Sequence, residues 1–344
     1  MIDESAIRSA LAGVKYPGFS RDIVSFGLVK SVVVRSGGIV IQMELTTSEP
    51  TVASQIRDAS VAAVESLGPG CPVEVLIDIR APQTPSAAQG LQGISGVGNI
   101  VAVASGKGGV GKSTVAANLA VALHRRGMRV GLCDCDLYGP SIALMFGCTE
   151  RPVADEQDRI IPLEREGIKI MSMGCLVDDD SPAVLRGPMV TRYTQQFLRQ
   201  VAWAPLDCLV LDLPPGTGDI QLTIVQTVAM AGAIVVTTPQ EVALIDARKA
   251  AAMFEKTSVR LLGLVENMSY FECPDNGRRY PIFGSGGGER EAARLRTELL
   301  AQIPIEMEVR EAGDAGRPAV LAAPDTQTAR VFAELAERVA GKIF

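Results

Sequence analysis

Residues 106–113 read Gly-Lys-Gly-Gly-Val-Gly-Lys-Ser, a match to G-x-x-x-x-G-K-[ST]. The apolar run Ile100–Ala104 precedes this segment and a helical pattern, Ser113–Arg126, follows it. Strand, glycine loop and helix in that order bring backbone N–H groups and the positive end of a helix to one point, which suits a phosphate. Gly106, Gly108, Gly109, Val110, Gly111 and Thr114 are expected to cradle it. Lys112 should reach the β- and γ-phosphates, and the Ser113 hydroxyl should ligate Mg²⁺. Gly106, Gly108 and Gly111 also spell G-x-G-x-x-G, with Asp134 about 20 residues on, as in a dinucleotide site. A dinucleotide gives Lys112 and Ser113 no role, so a Mg-nucleotide fits the segment better.

Carboxylates follow at two further strand ends. Val130–Cys133 runs into Asp134-Cys135-Asp136, and parallel sheets bind ligands at such carboxyl ends. Cys208–Leu211 runs into Asp212, the Walker B form, which is expected to hold Mg²⁺ through water. On an extended strand Cys133 and Cys135 share one face and Asp134 takes the other, so the two thiols read as small core residues.

The runs Ile168–Met171, Ala233–Thr237 and Leu261–Val265 complete a set of six, apolar on both faces. Helical stretches such as Val190–Val201, Ile220–Met230 and Ala243–Lys256 lie between them. This pattern predicts an α/β fold, a P-loop NTPase with a doubly wound, mostly parallel sheet over residues 99–344. Residues 81–98, rich in Pro, Gln, Ser and Gly, read as a flexible linker. Residues 1–80 read as a small α/β domain in the order helix, strand, strand, helix, strand. Its strands Leu28–Val34 and Ile39–Leu45 flank Gly37-Gly38, and a helix Thr51–Leu67 precedes a strand Val73–Ile79.

Composition narrows the function. Of 344 residues 47% are hydrophobic, so the chain can bury a large core. Lys+Arg is 33 against Asp+Glu 39, a formal charge of −6, which disfavours nucleic acid as a partner. The single histidine, His124, rules out a multi-histidine metal site and reads as structural. The seven scattered cysteines, Cys71, Cys148, Cys175 and Cys208 among them, suit a reducing compartment. No apolar run reaches the about 18 residues of a membrane span, so a soluble, cytoplasmic protein is expected. The C-terminal pattern Val331, Leu335, Val339, Ile343 reads as a packing helix rather than a membrane anchor.

The loop Gly106–Thr114, with its additional Lys107, resembles the deviant phosphate loop of the MinD/ParA/nitrogenase iron protein class of dimeric ATPases. Further stretches sharpen the likeness: Asp134–Ser141, Asp212–Asp219, Glu266-Asn267-Met268-Ser269 and Ile282–Gly287. Together these resemble the Mrp/ApbC iron–sulfur carrier ATPases over about residues 95–340. The first 80 residues resemble the metal–sulfur cluster assembly domain often fused ahead of them, best at Ile23–Val29. The resemblance implies a homodimer in which Lys107 crosses to the partner's ATP as an arginine finger would. It implies that Asp136 positions the attacking water, that Asp134 supports Mg²⁺, that Gly216 offers its N–H to the γ-phosphate and that Asn267 bonds the adenine edge.

The family holds a [4Fe–4S] cluster between subunits through a C-x-x-C pair from each chain and delivers it to apo-proteins. The corresponding segment here is Cys273-Pro274-Asp275-Asn276, so Asn276 replaces the second cysteine. Two thiolates per dimer, where such a cluster ordinarily takes four, leave three cases: completion by other ligands, a labile cluster, or none. The small domain also lacks the family's Cys-Pro, with Thr46-Thr47-Ser48-Glu49-Pro50 in its place. Its expected role is docking of client proteins or assembly scaffolds. A MinD/ParA-type positioning ATPase without a cluster is the alternative. A reductase like the nitrogenase iron protein is a third, and would need the full thiolate set.

Overall fold

The run Ile100–Ala104 lies inside a longer strand, Val97–Ser105, buried from Ile100 to its end. A computed structural model describes residues 4–14, 22–24, 28–35, 38–46, 50–68, 72–80, 91, 93–137, 139–172, 175 and 187–344. Cys71, Tyr138 and most of the expected linker, residues 81–90 and 92, lie outside the described residues. The chain forms two compact units, residues 1–90 and 91–344.

The first unit contains α1 (Glu4–Leu11), β1 (Val29–Arg35), β2 (Gly38–Thr46), α2 (Pro50–Glu65) and β3 (Val73–Arg80), in the order expected from the sequence. Strand β2 is central, antiparallel to β1 and parallel to β3. A parallel pair needs a crossover, and α2 supplies it. Ile7, Leu11, Ile41, Leu45 and Ile56 are buried, while Val34 and Leu76 stay exposed. The sheet is therefore covered on one face, as its alternating strands require.

The second unit begins with β4 (Val97–Ser105), α3 (Lys112–Arg125), β5 (Val130–Asp134), α4 (Ile142–Met145), β6 (Leu163–Arg165) and β7 (Ile168–Met171). It continues with α5 (Gly187–Arg199), β8 (Leu206–Asp212), α6 (Asp219–Val225), β9 (Gly232–Thr237), α7 (Glu241–Lys256) and β10 (Leu261–Glu266). A small hairpin, β11 (Phe271–Glu272) and β12 (Arg279–Tyr280), precedes α8 (Gly287–Arg294), β13 (Leu299–Gln302), α9 (Met307–Asp314), α10 (Ala319–Ala322) and α11 (Gln327–Ile343).

Eight strands form the main sheet in the order β13-β10-β9-β4-β8-β5-β7-β6, and only β6 runs antiparallel to its neighbour. The six apolar runs are its inner strands. The sequence reading missed both edges, because Leu-Glu-Arg and Leu-Leu-Ala-Gln are too short or too mixed to stand out. Helix α6 stops at Val225, short of the expected Met230. There Thr223 and Thr227 turn their hydroxyls onto carbonyls four residues back, which competes with regular helix.

Helices cover both faces. One face of the sheet packs with α3 and α11 around Leu119, Phe332 and Leu335, the other with α5 to α7 around Phe197, Phe254 and Leu209. Every residue of β5 and β9 is buried, which explains their unbroken apolar runs. Cys133 and Cys135 lie together in the second core, their sulfurs 3.8 Å apart. Cys148, Cys175 and Cys208 are buried as well. His124 is structural: its Nδ1 lies 3.0 Å from the Met128 carbonyl, and a Cβ on the adjacent Gly167 would come within 2.6 Å of its Nε2. The strand order switches at β4: the chain passes from it to β5, two places away on one side, while β9 lies next to it on the other. The crevice above its carboxyl end is where an open α/β sheet binds ligands.

Leu335 on α11 is fully buried against this sheet. Replacing it with alanine should cost about 2–5 kcal/mol, read as a lower urea midpoint, and a cost below about 1 kcal/mol would show that α11 does not seal the core.

Candidate active site

The glycine loop is shaped by what surrounds it. Ser105, buried at the end of β4, donates its hydroxyl to the Lys107 carbonyl at 2.9 Å. A Cβ at Gly106 would lie 2.0 Å from the Asp246 carbonyl oxygen of α7, so no other residue fits. Gly111 has φ +80°, and a Cβ there would strike the Asn267 side chain at 2.1 Å. Gly111 also caps α3 without a side-chain hydrogen bond, which leaves the first-turn N–H groups to a ligand. Asn267, in the loop after β10, donates its amide Nδ2–H to the Val110 carbonyl at 2.9 Å.

Beneath the loop two carboxylates stand side by side, Asp134 and Asp212 being register partners on β5 and β8. Lys112 Nζ lies 2.5 Å from Asp212 Oδ1 and 3.3 Å from Ser113 Oγ. Only 6% of Lys112 and none of Asp212 is exposed. Burial raises the Asp212 carboxyl above its ordinary range, against the opposing pull of Lys112 and the Ser113 hydroxyl. Asp212 Oδ2 is buried with no partner, an acceptor free for a water of a Mg²⁺ shell.

Asp134 is equally buried but fully engaged. Its oxygens accept from the N–H groups of Asp136 (3.1 Å), Ser141 (3.0 Å) and Ile142 (3.1 Å) and from the Ser172 hydroxyl (2.9 Å). Burial and then the charge of Asp212 push its carboxyl up to about 7, with the Ile142 N–H, Lys112 and Ser172 pulling back. Asp134 therefore ties Asp136, Ser141 and Ile142 to the end of β5. Nothing near Ser172 in the sequence marks it for this contact.

Lys107, Gly108, Gly109, Lys112, Ser113 and Asp136 line one open cavity of about 240 Å³. Asp136 Oδ1 accepts from the Gly139 N–H at 3.2 Å. Gly216, at φ +96°, gives its N–H to the Ser105 carbonyl at 2.9 Å. A second cavity of about 610 Å³ shares Gly111 and Thr114 with the first and extends along Asn267, Phe283, Pro304 and Glu306. The sequence reading reached Asn267 but not Glu306, which follows the edge strand β13 that it also missed.

Cys273 lines neither cavity. It sits at the start of the β11–β12 turn, where its carbonyl accepts from the N–H of Gly277 at 2.8 Å. Asn276 Oδ1 accepts the Arg278 N–H at 2.9 Å, so the residue in the second cysteine's place closes the turn with its side chain. No cluster of three or more metal-ligating side chains occurs among the described residues.

Comparison with known proteins agrees with this architecture. Residues 96–340 match the ParA family model, described as NUBPL iron-transfer P-loop NTPase, and residues 4–77 match a model described as iron–sulfur cluster assembly protein. The chain is 42% identical to an iron–sulfur cluster carrier protein of Synechocystis, covering 100% of this chain and 98% of that one. It is 52% identical to an iron–sulfur cluster carrier protein of Pseudomonas fragi over 70% of this chain and 84% of the other. A nucleotide-binding protein of Archaeoglobus fulgidus, solved in complex with ADP, superposes with a TM-score of 0.60 at 38% identity, covering 69% of this chain and 92% of that chain.

A raised carboxyl ties stability to pH. Folded Asp134 keeps its proton up to about 7, whereas an unfolded aspartate releases it near about 4. The contribution is thus present below the unfolded value and lost as pH rises towards the folded one. Without nucleotide, the melting temperature should fall between about pH 5 and 7, and Asp134→Asn, which cannot ionise, should flatten that fall. An unchanged slope in the variant would assign the effect to other groups.

Proposed function

Because the chain belongs to the family of NUBPL iron-transfer P-loop NTPases, we propose that it binds and hydrolyses ATP as a homodimer and uses the cycle to carry an iron–sulfur cluster to apo-proteins of the cytoplasm. The convergence of Lys112, Ser113 and Asp136 on one cavity above Asp212 carries the ATPase half. Likeness to iron–sulfur cluster carrier proteins along the whole chain supports the carrier half. No described helix is long and apolar enough to cross a membrane.

In this reading the triphosphate lies over the N–H groups of residues 106–114. Lys112 leaves Asp212 for the β- and γ-phosphates. Ser113 and, through water, Asp212 would hold Mg²⁺, and the orphaned Asp212 Oδ2 fits that role. When bound, the ion neutralises phosphate charge. Asp134 supports the site indirectly, by anchoring the segment that carries Asp136. Asp136 orients the attacking water, and Lys107 of a second copy stabilises charge on the transferring phosphoryl group. Gly216 reaches a γ-phosphate only by releasing the Ser105 carbonyl, so ATP and ADP favour different positions of its loop. Asn267 forms part of the wall around the adenosine half.

The cluster is cargo. Cys273 of each copy supplies one thiolate, and Asn276 is a poor ligand for soft iron. Solution thiols or client cysteines complete the set, and such a weakly held cluster is suited to transfer. Residues 1–80 dock clients or assembly scaffolds, joined through residues 81–96 to the ATPase domain, whose first strand begins at Val97 rather than at the expected residue 99.

Lys107→Ala and Asp136→Ala should each keep ATP affinity within about threefold while lowering kcat by about 10³-fold. Unchanged turnover in either variant would remove that residue from the mechanism. Anaerobic reconstitution with iron and sulfide should load the wild type and not Cys273→Ala, with hydrolysis intact in both. No cluster in either protein would leave a cluster-free switch ATPase.

A further inference from the structure

Two thiols that are separate in the chain meet in the fold, outside the nucleotide site. Cys148 follows α4, Cys175 follows β7, and both belong to the core that α3 shares with the sheet. The Cys175 S–H donates to the Cys148 sulfur, and the Cys148 thiol has the Phe146 carbonyl 4.0 Å away. The pair is asymmetric. The bond from Cys175 holds the Cys148 thiol below its ordinary range, and the charge of Arg165 adds to this, against burial and Glu150. The Cys175 thiol is pushed up by its bond to Cys148 and then by burial. Access differs as well. Cys148 is 9% exposed and lies between exposed Gly147 and Thr149, whereas Cys175 is 5% exposed. One thiol is thus disposed to ionise near the surface, and the other is held against it with its proton. Both hang from Asp134. Ile142 at the start of α4 gives Asp134 its N–H, and Ser172 after β7 gives it a hydroxyl. The Cys148 and Cys175 N–H groups bond back to the Ala143 and Ser172 carbonyls at 2.9 and 3.1 Å. A bond between the sulfurs closes this ring of contacts covalently.

We propose that Cys148 and Cys175 are a peroxide-responsive pair, which forms a reversible disulfide between the chain after β5 and the chain after β7 and so slows hydrolysis. The Cys148 thiolate attacks one oxygen of hydrogen peroxide. The O–O bond breaks, Cys148 becomes a sulfenic acid, and the hydroxide that leaves takes up a proton as water. The Cys175 sulfur then attacks the Cys148 sulfur. The S–S bond forms, the S–O bond breaks, and the proton of Cys175 leaves with the hydroxyl as a second water. Two thiols lose two electrons and one peroxide gains them. Cys175 needs no contact with the oxidant, since it meets only Cys148. In a reducing compartment a standing disulfide does not persist, but one made by peroxide and unmade by thiol exchange does for as long as peroxide is present. The effect on hydrolysis rests on the nucleotide reading above. Asp136 emerges from the same anchored chain, so the added tie restrains the residue that orients water.

The test is to treat the reduced full chain with hydrogen peroxide, alkylate the remaining thiols, digest the protein and map joined peptides by mass spectrometry. The peptides holding Cys148 and Cys175 should appear joined, and should separate after dithiothreitol. ATP turnover should fall about tenfold in the oxidised protein and return with dithiothreitol. Cys148→Ser and Cys175→Ser should keep the turnover of the reduced wild type and lose the peroxide response. Dimedone, which captures sulfenic acids, should label Cys148 in Cys175→Ser and leave Cys175 unlabelled in Cys148→Ser. Melting curves establish that the variants are folded, and alanine replaces serine where one is not. Both cysteines recovered alkylated from peroxide-treated wild type would overturn the proposal. So would a mapped disulfide with unchanged turnover, which leaves no switch, or a loss of turnover that persists in both variants, which assigns the response to another thiol. Absence of ATP turnover in the reduced wild type removes the nucleotide reading and the switch with it, while the mapped peptides still decide the disulfide.

Discussion

The ion pair between Lys112 and Asp212 joins the first residue of α3 to the last residue of β8, two elements at the centre of the fold. Both groups are almost without solvent. Each alone would carry a desolvation penalty of several kcal/mol, so each holds the other in place. A nucleotide arriving at this loop does not enter an idle slot. In the binding mode proposed above, Lys112 would leave this buried carboxylate for the phosphates, and Mg²⁺ would meet the charge left behind. Binding is thus an exchange of partners in a site of low polarity, where every exchange is electrostatically large.

Asp134 shows why that exchange stays local. It too feels the charge of Lys112, yet four donors already occupy its oxygens. Its place in the architecture is to turn the chain after β5 so that Asp136 emerges beside the loop. Asn267 has a similar double aspect. Its amide ties the loop to the β10 side of the sheet, and the same residue walls the larger cavity. The site is therefore assembled from the ends of β4, β5, β8 and β10, each contributing a short segment that would have no meaning alone.

What the sequence made legible follows from how local each feature is. The phosphate loop is a contiguous pattern whose geometry dictates its residues, and the inner strands are buried on both faces, so both stood out. The edge strands β6 and β13 are short and half wet, and carry no such signal. The link between Asn267 and Val110 spans 157 residues, and Ser172 meets Asp134 only because β7 pairs with β5, 38 residues away. Contacts of that kind are set by the tertiary fold rather than by the neighbours of either residue. Glu306 follows the same rule, since Ile-Pro-Ile-Glu before a helix looks like any loop. Asn276 was legible as a missing thiol, but its bond to the Arg278 N–H was not, because a turn and a metal knuckle use the same spacing.

Gly106 carries a mechanical consequence. Its backbone is pressed so closely on the Asp246 carbonyl that not even a methyl group could come between them, whereas Gly108, Gly109, Gly216 and Gly218 have open space around them. The base of the loop is clamped to α7 as a stator. Room for movement lies instead at the tip of the loop, around Gly108 and Gly109, and in the segment after Asp212, around Gly216 and Gly218. The segments that lead into α4 and α6 carry no such clamp, so the base of the loop at α7 is the fixed point against which they are free to shift.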